Sequence, residues 1–270
     1  MKRTCLMGSL VAALALLMTH ATQAAELPDL IDRIQPGVVG VGTSYPPRQP
    51  NVRGDRATYL GTGFVVGDGR HIITNAHVIA VELDADNRQT LAVFSGRGAE
   101  VVAHPARELA RDSAHDLAIL EIDGAGLPAL SLGDSDLIRA GQEIAFTGFP
   151  LGMALGLYPV THRGIVSAIT PTAQPVSQAN QLNTLQISRM RSGFDAFQLD
   201  ATAYPGNSGS PVFELKHGLV IGVVNSVVVK ETRESMLATP SGITYALPAK
   251  YIKPLLDAAT RRSPLDPVSQ

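Results

Sequence analysis

Short apolar runs separated by polar and glycine-rich segments make up most of this chain. Val38–Val41, Tyr59–Val66, His71–Thr74, Leu91–Ser95, Glu100–Ala103 and Leu117–Ile122 read as a first series of strands. Within it, Gly67-Asp68-Gly69 has the composition of a hairpin turn. A second series follows at Glu143–Thr147, Gly164–Ile169, Leu185–Ile187, Phe197–Ala201, Pro211–Phe213, Leu219–Val227 and Ile243–Leu247. Helical spacing occurs near the two ends. Leu27, Leu30, Ile31 and Ile34 predict a short helix stopped by Pro36-Gly37. Tyr251, Ile252, Leu255, Leu256 and Ala259 predict the inner side of a closing helix over Ala249–Arg261, although Pro254 interrupts the pattern. Many short strands without alternating helices predict an all-β, antiparallel fold rather than a parallel α/β sheet. The Gly/Pro/Asp-rich stretch 124–140 reads as a connection between an N-terminal lobe, 25–123, and a C-terminal lobe, 141–270.

The first residues follow a different pattern. Lys2 and Arg3 precede an apolar run, Leu6–Met18, and Thr22 and Ala24 suit a cleavage site, so 1–24 is expected to be a signal peptide. The run is short for a bilayer span, and no later stretch is long and apolar enough for one, so no stable span is expected after cleavage. Cys5 is the only cysteine and lies in that leader. The exported chain is therefore expected to have neither a disulfide nor a thiol nucleophile. The chain carries 22 Lys+Arg against 24 Asp+Glu. That balance argues against nucleic acid or an anionic membrane as the main partner.

Candidate chemistry begins at Gly206-Asn207-Ser208-Gly209-Ser210-Pro211, entered through Tyr204-Pro205. A serine between glycines in a tight turn exposes a hydroxyl with open backbone N–H groups beside it, as a nucleophile and its oxyanion hole require. Taken alone the stretch is equally an ordinary turn. A serine nucleophile needs a base, and the base needs an acceptor to hold its tautomer. His77, at the end of a hairpin strand, and Asp116, just before the apolar run Leu117–Leu120, are the candidates. Asp112 is a rival acid, set aside because no strand follows it directly to fix its carboxylate. His71, His104, His115, His162 and His217 have no second ligand at metal-binding spacing. No metal and no other cofactor is expected.

The order His, Asp, Ser, with gaps of about 40 and 90 residues, is that of two-barrel serine peptidases. Gly61-Thr62-Gly63-Phe64, Thr74-Asn75-Ala76-His77-Val78, His115-Asp116-Leu117-Ala118, Leu132-Gly133-Asp134-Ser135, Gly148-Phe149-Pro150-Leu151-Gly152, Gly164-Ile165-Val166-Ser167 and Gly206-Asn207-Ser208-Gly209 run in the same order. Through them the chain resembles the trypsin-like serine peptidases of the bacterial HtrA (Deg) type. The resemblance implies two six-stranded antiparallel β-barrels with an active site between them. It implies that Ser208 attacks the carbonyl, His77 acts as base and then acid, and Asp116 orients His77. The N–H groups of Gly206, Asn207 and Ser208 would hold the oxyanion, and proteins or peptides would be the substrates.

Some residues depart from that pattern. Ser210 stands where HtrA peptidases usually carry glycine, and the Gly-Asn-Ser-Gly-Ser-Pro-Val motif is similar to secreted glutamyl endopeptidases and exfoliative toxins. Val224 falls where those enzymes place a glutamate-binding histidine. A shallow apolar pocket shaped by Ala203, Val224 and Tyr245 is expected, favouring small or medium aliphatic residues before the scissile bond. Asn207 is neutral, so activation by a freed ammonium group lacks its ion pair. Control is expected from the loops Thr170–Asp195 and Val229–Ser241. The sequence after Ser208 is too short for a second barrel plus an HtrA-style peptide-binding (PDZ) module, so none is expected, and no oligomeric state is carried over. The competing reading is a binding protein of peptidase fold with a silent triad; esterase activity would share the mechanism. The leader predicts export, with the periplasm favoured over the medium. Acylation needs a neutral His77, so activity should fall in acid.

Overall fold

Strand pairing follows the alternation of the apolar runs. The computed structural model describes residues 27–46, 57–150, 156–171, 193–225 and 243–262. The expected signal peptide, the strand at Leu185–Ile187 and most of the two proposed control loops lie outside the described residues. Strands β1 (Val38–Ser44), β2 (Ala57–Val66), β3 (His71–Asn75), β4 (Thr90–Ser95), β5 (Val102–Asp112) and β6 (Leu117–Ile122) close into an antiparallel barrel in the order β1-β2-β3-β6-β5-β4. Strands β7 (Glu143–Gly148), β8 (Val160–Pro171), β9 (Asp195–Asp200), β10 (Pro211–Glu214), β11 (Val220–Asn225) and β12 (Ile243–Pro248) close a second barrel in the order β10-β11-β12-β9-β8-β7. The fold is the all-β, two-barrel architecture that the resemblance implies, with a helix near each end: α1 (Leu27–Ile34) and α2 (Ile252–Arg262).

Side chains of a strand alternate between faces, so each barrel divides its apolar residues in two. Val39, Val41, Val65, Ile72, Val93 and Leu120 form one buried cluster in the first barrel. Ile144, Phe146, Val166, Phe197, Leu199 and Val212 form another in the second. The alternate positions, among them Phe64, Ile73, Leu117 and Ile119 from the first barrel and Ala145, Phe213, Val223 and Leu247 from the second, join into one cluster along the seam between the barrels. Leu30 and Ile34 of α1 and Ile252, Leu255 and Ala259 of α2 cap it. Full burial of each large apolar side chain stabilises by about 1.5–3 kcal/mol, so the seam is as much a core as either interior.

Several boundaries differ from the sequence reading, and three points have a physical cause. Residues Gly98–Glu100 form a short 3-10 turn, and β5 starts at Val102 and runs on to Asp112. Strand β8 starts at Val160, ahead of Gly164. Both strands are mostly half-buried or exposed, so their ladder hydrogen bonds leave no apolar run to read. The third concerns Pro254, which falls in the first turn of α2, where a missing N–H breaks no helical bond. That helix follows the second barrel in sequence yet packs on β5 and β6 of the first. The connecting stretch straps both barrels. The Leu130 N–H donates to the Val65 carbonyl at 2.8 Å, and the Gly133 N–H donates to the Val220 carbonyl at 2.8 Å.

Candidate active site

His77 follows β3, and Asp116 closes the turn between β5 and β6. Asp116 adopts a left-handed backbone, φ +51°, a conformation that aspartate tolerates better than most residues. The turn is held from both sides. The Asp116 carbonyl accepts the Ala76 N–H at 3.0 Å and the Asn75 Nδ2 amide at 3.1 Å. Its carboxylate then returns to His77: Oδ1 accepts the His77 backbone N–H at 2.9 Å, and Oδ2 lies 2.6 Å from the His77 Nδ1. A carboxylate at that nitrogen keeps the proton on Nδ1 and leaves Nε2 as the basic atom.

A third donor to this carboxylate comes from the other barrel. The Asn225 side chain, on β11, donates from Nδ2 to Asp116 Oδ2 at 2.9 Å. Asn225 is 2 % exposed. Sequence reasoning passed over it, although one polar residue ending the run Val220-Ile221-Gly222-Val223-Val224 was the available signal. Asp112 is separate. Its carboxylate accepts from the Ala114 and His115 N–H groups at 3.0 and 3.1 Å and lies 2.6 Å from His115 Nδ1. No strand follows Asp112 directly, as read from the sequence, but its own turn fixes its carboxylate and commits it to His115. The His115 ring in turn stacks on Tyr251, with centroids 4.1 Å apart.

Ser208 lies between β9 and β10, where two turns follow one another. The Asn207 N–H donates to the Tyr204 carbonyl at 2.9 Å, and the Ser210 N–H donates to the Asn207 carbonyl at 3.0 Å. Each turn has a glycine at its third position, Gly206 with φ +102° and Gly209 with φ +87°. With Pro205 before Gly206, the first is a type II turn, which needs a positive φ there. Gly209 is required on a second ground, because a methyl group would collide with the Thr62 carbonyl. Ser208 is 5 % exposed, and its carbonyl accepts the Thr62 N–H of β2 at 2.8 Å. The Gly209 N–H donates to the Val224 carbonyl at 2.9 Å, one residue before Asn225. Ser208 is thus tied to β2 of the first barrel and to the strand that supports Asp116. Asn207, expected as a third oxyanion donor, donates its N–H to the Tyr204 carbonyl instead.

The expected pocket residues separate. Val224 pairs with Ala246, both in the second barrel's interior cluster, and Ala203 packs against the same cluster. Tyr245 is one residue along and pairs with Asn225. Strand alternation turns it to the face of the sheet opposite Val224. His162 stacks on Phe146 at 4.8 Å and lies 6.1 Å from the Tyr204 ring. Burial lowers its basicity.

Two closed six-stranded barrels, with histidine and aspartate on one and serine on the other across their seam, define a chymotrypsin-like protein. The family described as "Trypsin-like peptidase domain" matches residues 61–223, and the chain belongs to that family. Its relatives are of the HtrA (Deg) kind. A "Probable periplasmic serine endoprotease DegP-like" of Pseudomonas fluorescens is 31% identical over 277 residues, which cover 88% of this chain and 50% of the relative. The "Serine protease Do-like HtrB" of Bacillus subtilis is 27% identical over 263 residues, covering 91% of this chain and 49% of the relative. The chain thus spans about half the length of these relatives. A solved structure titled "HtrA-type protease AlgW with decapeptide" shares the fold at TM-score 0.61 and 24% identity, covering 87% of this chain and 67% of that one.

Proposed function

We propose that the protein is an exported serine endopeptidase that hydrolyses protein or peptide substrates through an acyl-enzyme. The supporting observation is the His77–Asp116 pair at 2.6 Å, braced by Asn225 from the strand that also holds the nucleophile turn. Ser208 Oγ attacks the carbonyl carbon while His77 Nε2 takes its proton. The Asp116 carboxylate holds Nδ1–H and stabilises the imidazolium that forms. The carbonyl oxygen, now negative, is received by the N–H groups of Gly206 and Ser208. The imidazolium then protonates the leaving amine, the C–N bond breaks, and an ester on Ser208 remains. Water attacks that ester, with its proton passing to His77 Nε2, and the released carboxylic acid frees Ser208 with its proton restored. No cofactor takes part.

The primary pocket is read as apolar, with Ala203 and Val224 on its wall, and accepts small or medium aliphatic side chains. A glutamate there would lose its solvation without a partner. Export to the periplasm is proposed from the leader at 1–24, and the name of the Pseudomonas relative, a periplasmic endoprotease, agrees with it. The test is labelling by a fluorophosphonate, which should mark folded wild type and not Ser208→Ala. Folded protein left unlabelled would instead support the silent binding reading. A peptide-library digest dominated by cleavage after Glu or Lys would overturn the pocket assignment.

A further inference from the structure

The Gly206–Asn207 peptide is gripped at both of its polar atoms. Its N–H closes the turn onto Tyr204, as above. Its carbonyl, that of Gly206, accepts the Thr62 hydroxyl at 2.7 Å, and the Tyr59 hydroxyl stands 3.0 Å away. Both hydroxyls belong to β2 of the first barrel, more than 140 residues earlier in the chain. Proton counting makes Thr62 the hub. Thr62 Oγ1 accepts the Phe149 N–H at 3.1 Å, so its own single proton is available for Gly206. The Tyr59 hydroxyl, 3.0 Å from Thr62 Oγ1 and 3.1 Å from the Phe149 carbonyl, has one proton to share among three acceptors. Burial pushes the Tyr59 phenol far above its ordinary range, more than its bond with Thr62 draws it down, so it stays a donor.

We propose that Thr62, backed by Tyr59, is a positioning residue that sets the oxyanion turn against Ser208. The inference rests on the reading of Ser208 as nucleophile and of the Gly206 N–H as an oxyanion donor. Glycine supplies the positive φ of the type II turn and leaves the backbone soft. The turn's hydrogen bond fixes its shape but not its distance from Ser208. That distance is set through Thr62, which donates from its backbone N–H to the Ser208 carbonyl and from its hydroxyl to the Gly206 carbonyl. One residue of the first barrel thereby spans the two positions whose N–H groups must converge on one oxygen.

The test compares Thr62→Val, which keeps the shape and loses the hydroxyl, with Thr62→Ser and Tyr59→Phe. Sites are counted by fluorophosphonate titration, so that kcat refers to competent molecules, and folding is followed by a urea melt. Thr62→Val should lower kcat by about tenfold to a hundredfold with KM little changed, approaching the loss of one oxyanion donor. It should weaken a peptidyl boronate, whose tetrahedral adduct fills the oxyanion site, by a similar factor. Thr62→Ser should stay within a few-fold of wild type, and Tyr59→Phe should fall between. Folded Thr62→Val with kcat per titrated site and boronate affinity within twofold of wild type would overturn the inference, as would a loss carried wholly by KM. If Thr62→Val does not fold, Tyr59→Phe takes its place, with an unchanged kcat overturning the inference. Wild type that folds but takes no label overturns the peptidase reading and this inference with it; labelled wild type with a fully active Thr62→Val overturns only the latter.

Discussion

Replacing Asn207 by aspartate should destabilise the protein more as the pH rises. Asn207 is fully buried, and neither Oδ1 nor Nδ2 of its amide has a hydrogen-bond partner. Aspartate has almost the same shape, so the substitution changes charge with little change in packing. No cation among the described residues bonds to this side chain. A carboxyl buried without a partner has its folded value raised, by as much as about 3–5 units. Such a group costs nothing below the unfolded carboxyl value of about 3.9, and its cost grows until the pH reaches the folded value. With a folded value near 7, the cost is about 1.5 kcal/mol at pH 5 and about 4 kcal/mol at pH 7 and above. The second figure is a large share of the total stability of a typical domain, about 5–15 kcal/mol. The Ser210 hydroxyl, also buried and unpartnered, can turn toward the carboxylate and recover part of it.

The assay is urea unfolding of Asn207→Asp against its parent, both in a Ser208→Ala background to prevent self-cleavage, at pH 5 and pH 8. The gap between the two proteins should widen by about 2.5 kcal/mol across that interval, less whatever Ser210 recovers, with the m-value unchanged. Taking the difference at each pH removes every group the two proteins share. A gap equal at both values would show that the carboxylate reaches solvent. A gap that narrows toward pH 8 would show that a cation pairs with it, and would refute the reasoning that this neutral position cannot serve an ammonium-triggered switch.

Three further outcomes are expected. Asn225→Ala removes a hydrogen bond to the Asp116 carboxylate, of a kind worth about 1.5–3 kcal/mol, and kcat/KM per titrated site should fall by about tenfold or more; an unchanged value would count against a role for Asp116. Gly148→Ala puts a methyl group against Ser210 Oγ and should lower stability by about 1–3 kcal/mol in a urea melt, with Ser210→Gly restoring much of it; additive losses in the double variant would contradict that contact. Burial pushes the Asp112 carboxyl up, but the His115 ring and the N–H groups of His115 and Ala114 draw it below its ordinary value. Its contribution is therefore present above the unfolded carboxyl value and lost as pH falls through the lower folded one. Asp112→Asn should cost about 1 kcal/mol at pH 6 and nothing near pH 2, measured by urea midpoints.

What was legible in the sequence was local. Apolar runs showed most strands because many are buried on both faces, one in a barrel interior and the other in the seam, and the Gly-Asn-Ser-Gly stretch showed its turns because only glycine suits the positive φ at Gly206 and Gly209. Strand β5 reads short in the sequence because its side chains are mainly half-buried or exposed, and a ladder of backbone bonds leaves no trace in side-chain type. The face that Tyr245 takes is not legible in its sequence because it depends on register with a neighbouring strand; the pairing of Val224 with Ala246 sets Tyr245 on the face opposite Val224.

The residues that reasoning from sequence missed share one property, in that their partners lie on the other barrel. Asn225 reaches Asp116 across 109 residues, Thr62 reaches Gly206 across 144, and Tyr59 reaches Gly206 across 147. The contacts run both ways: the second barrel gives Asn225 to the acid of the first, and the first gives Thr62 to the serine turn of the second. Each barrel closes on itself, so neither requires these bonds to fold its own sheet. They instead set how the barrels register along their shared apolar seam, which by itself is non-directional and would tolerate sliding. The groups that align the barrels are the ones that bring histidine, aspartate and serine together. Loosening one should therefore reduce the rate by more than the melt, since a displacement on the order of 1 Å costs about a hundredfold in positioning while most of the seam stays buried.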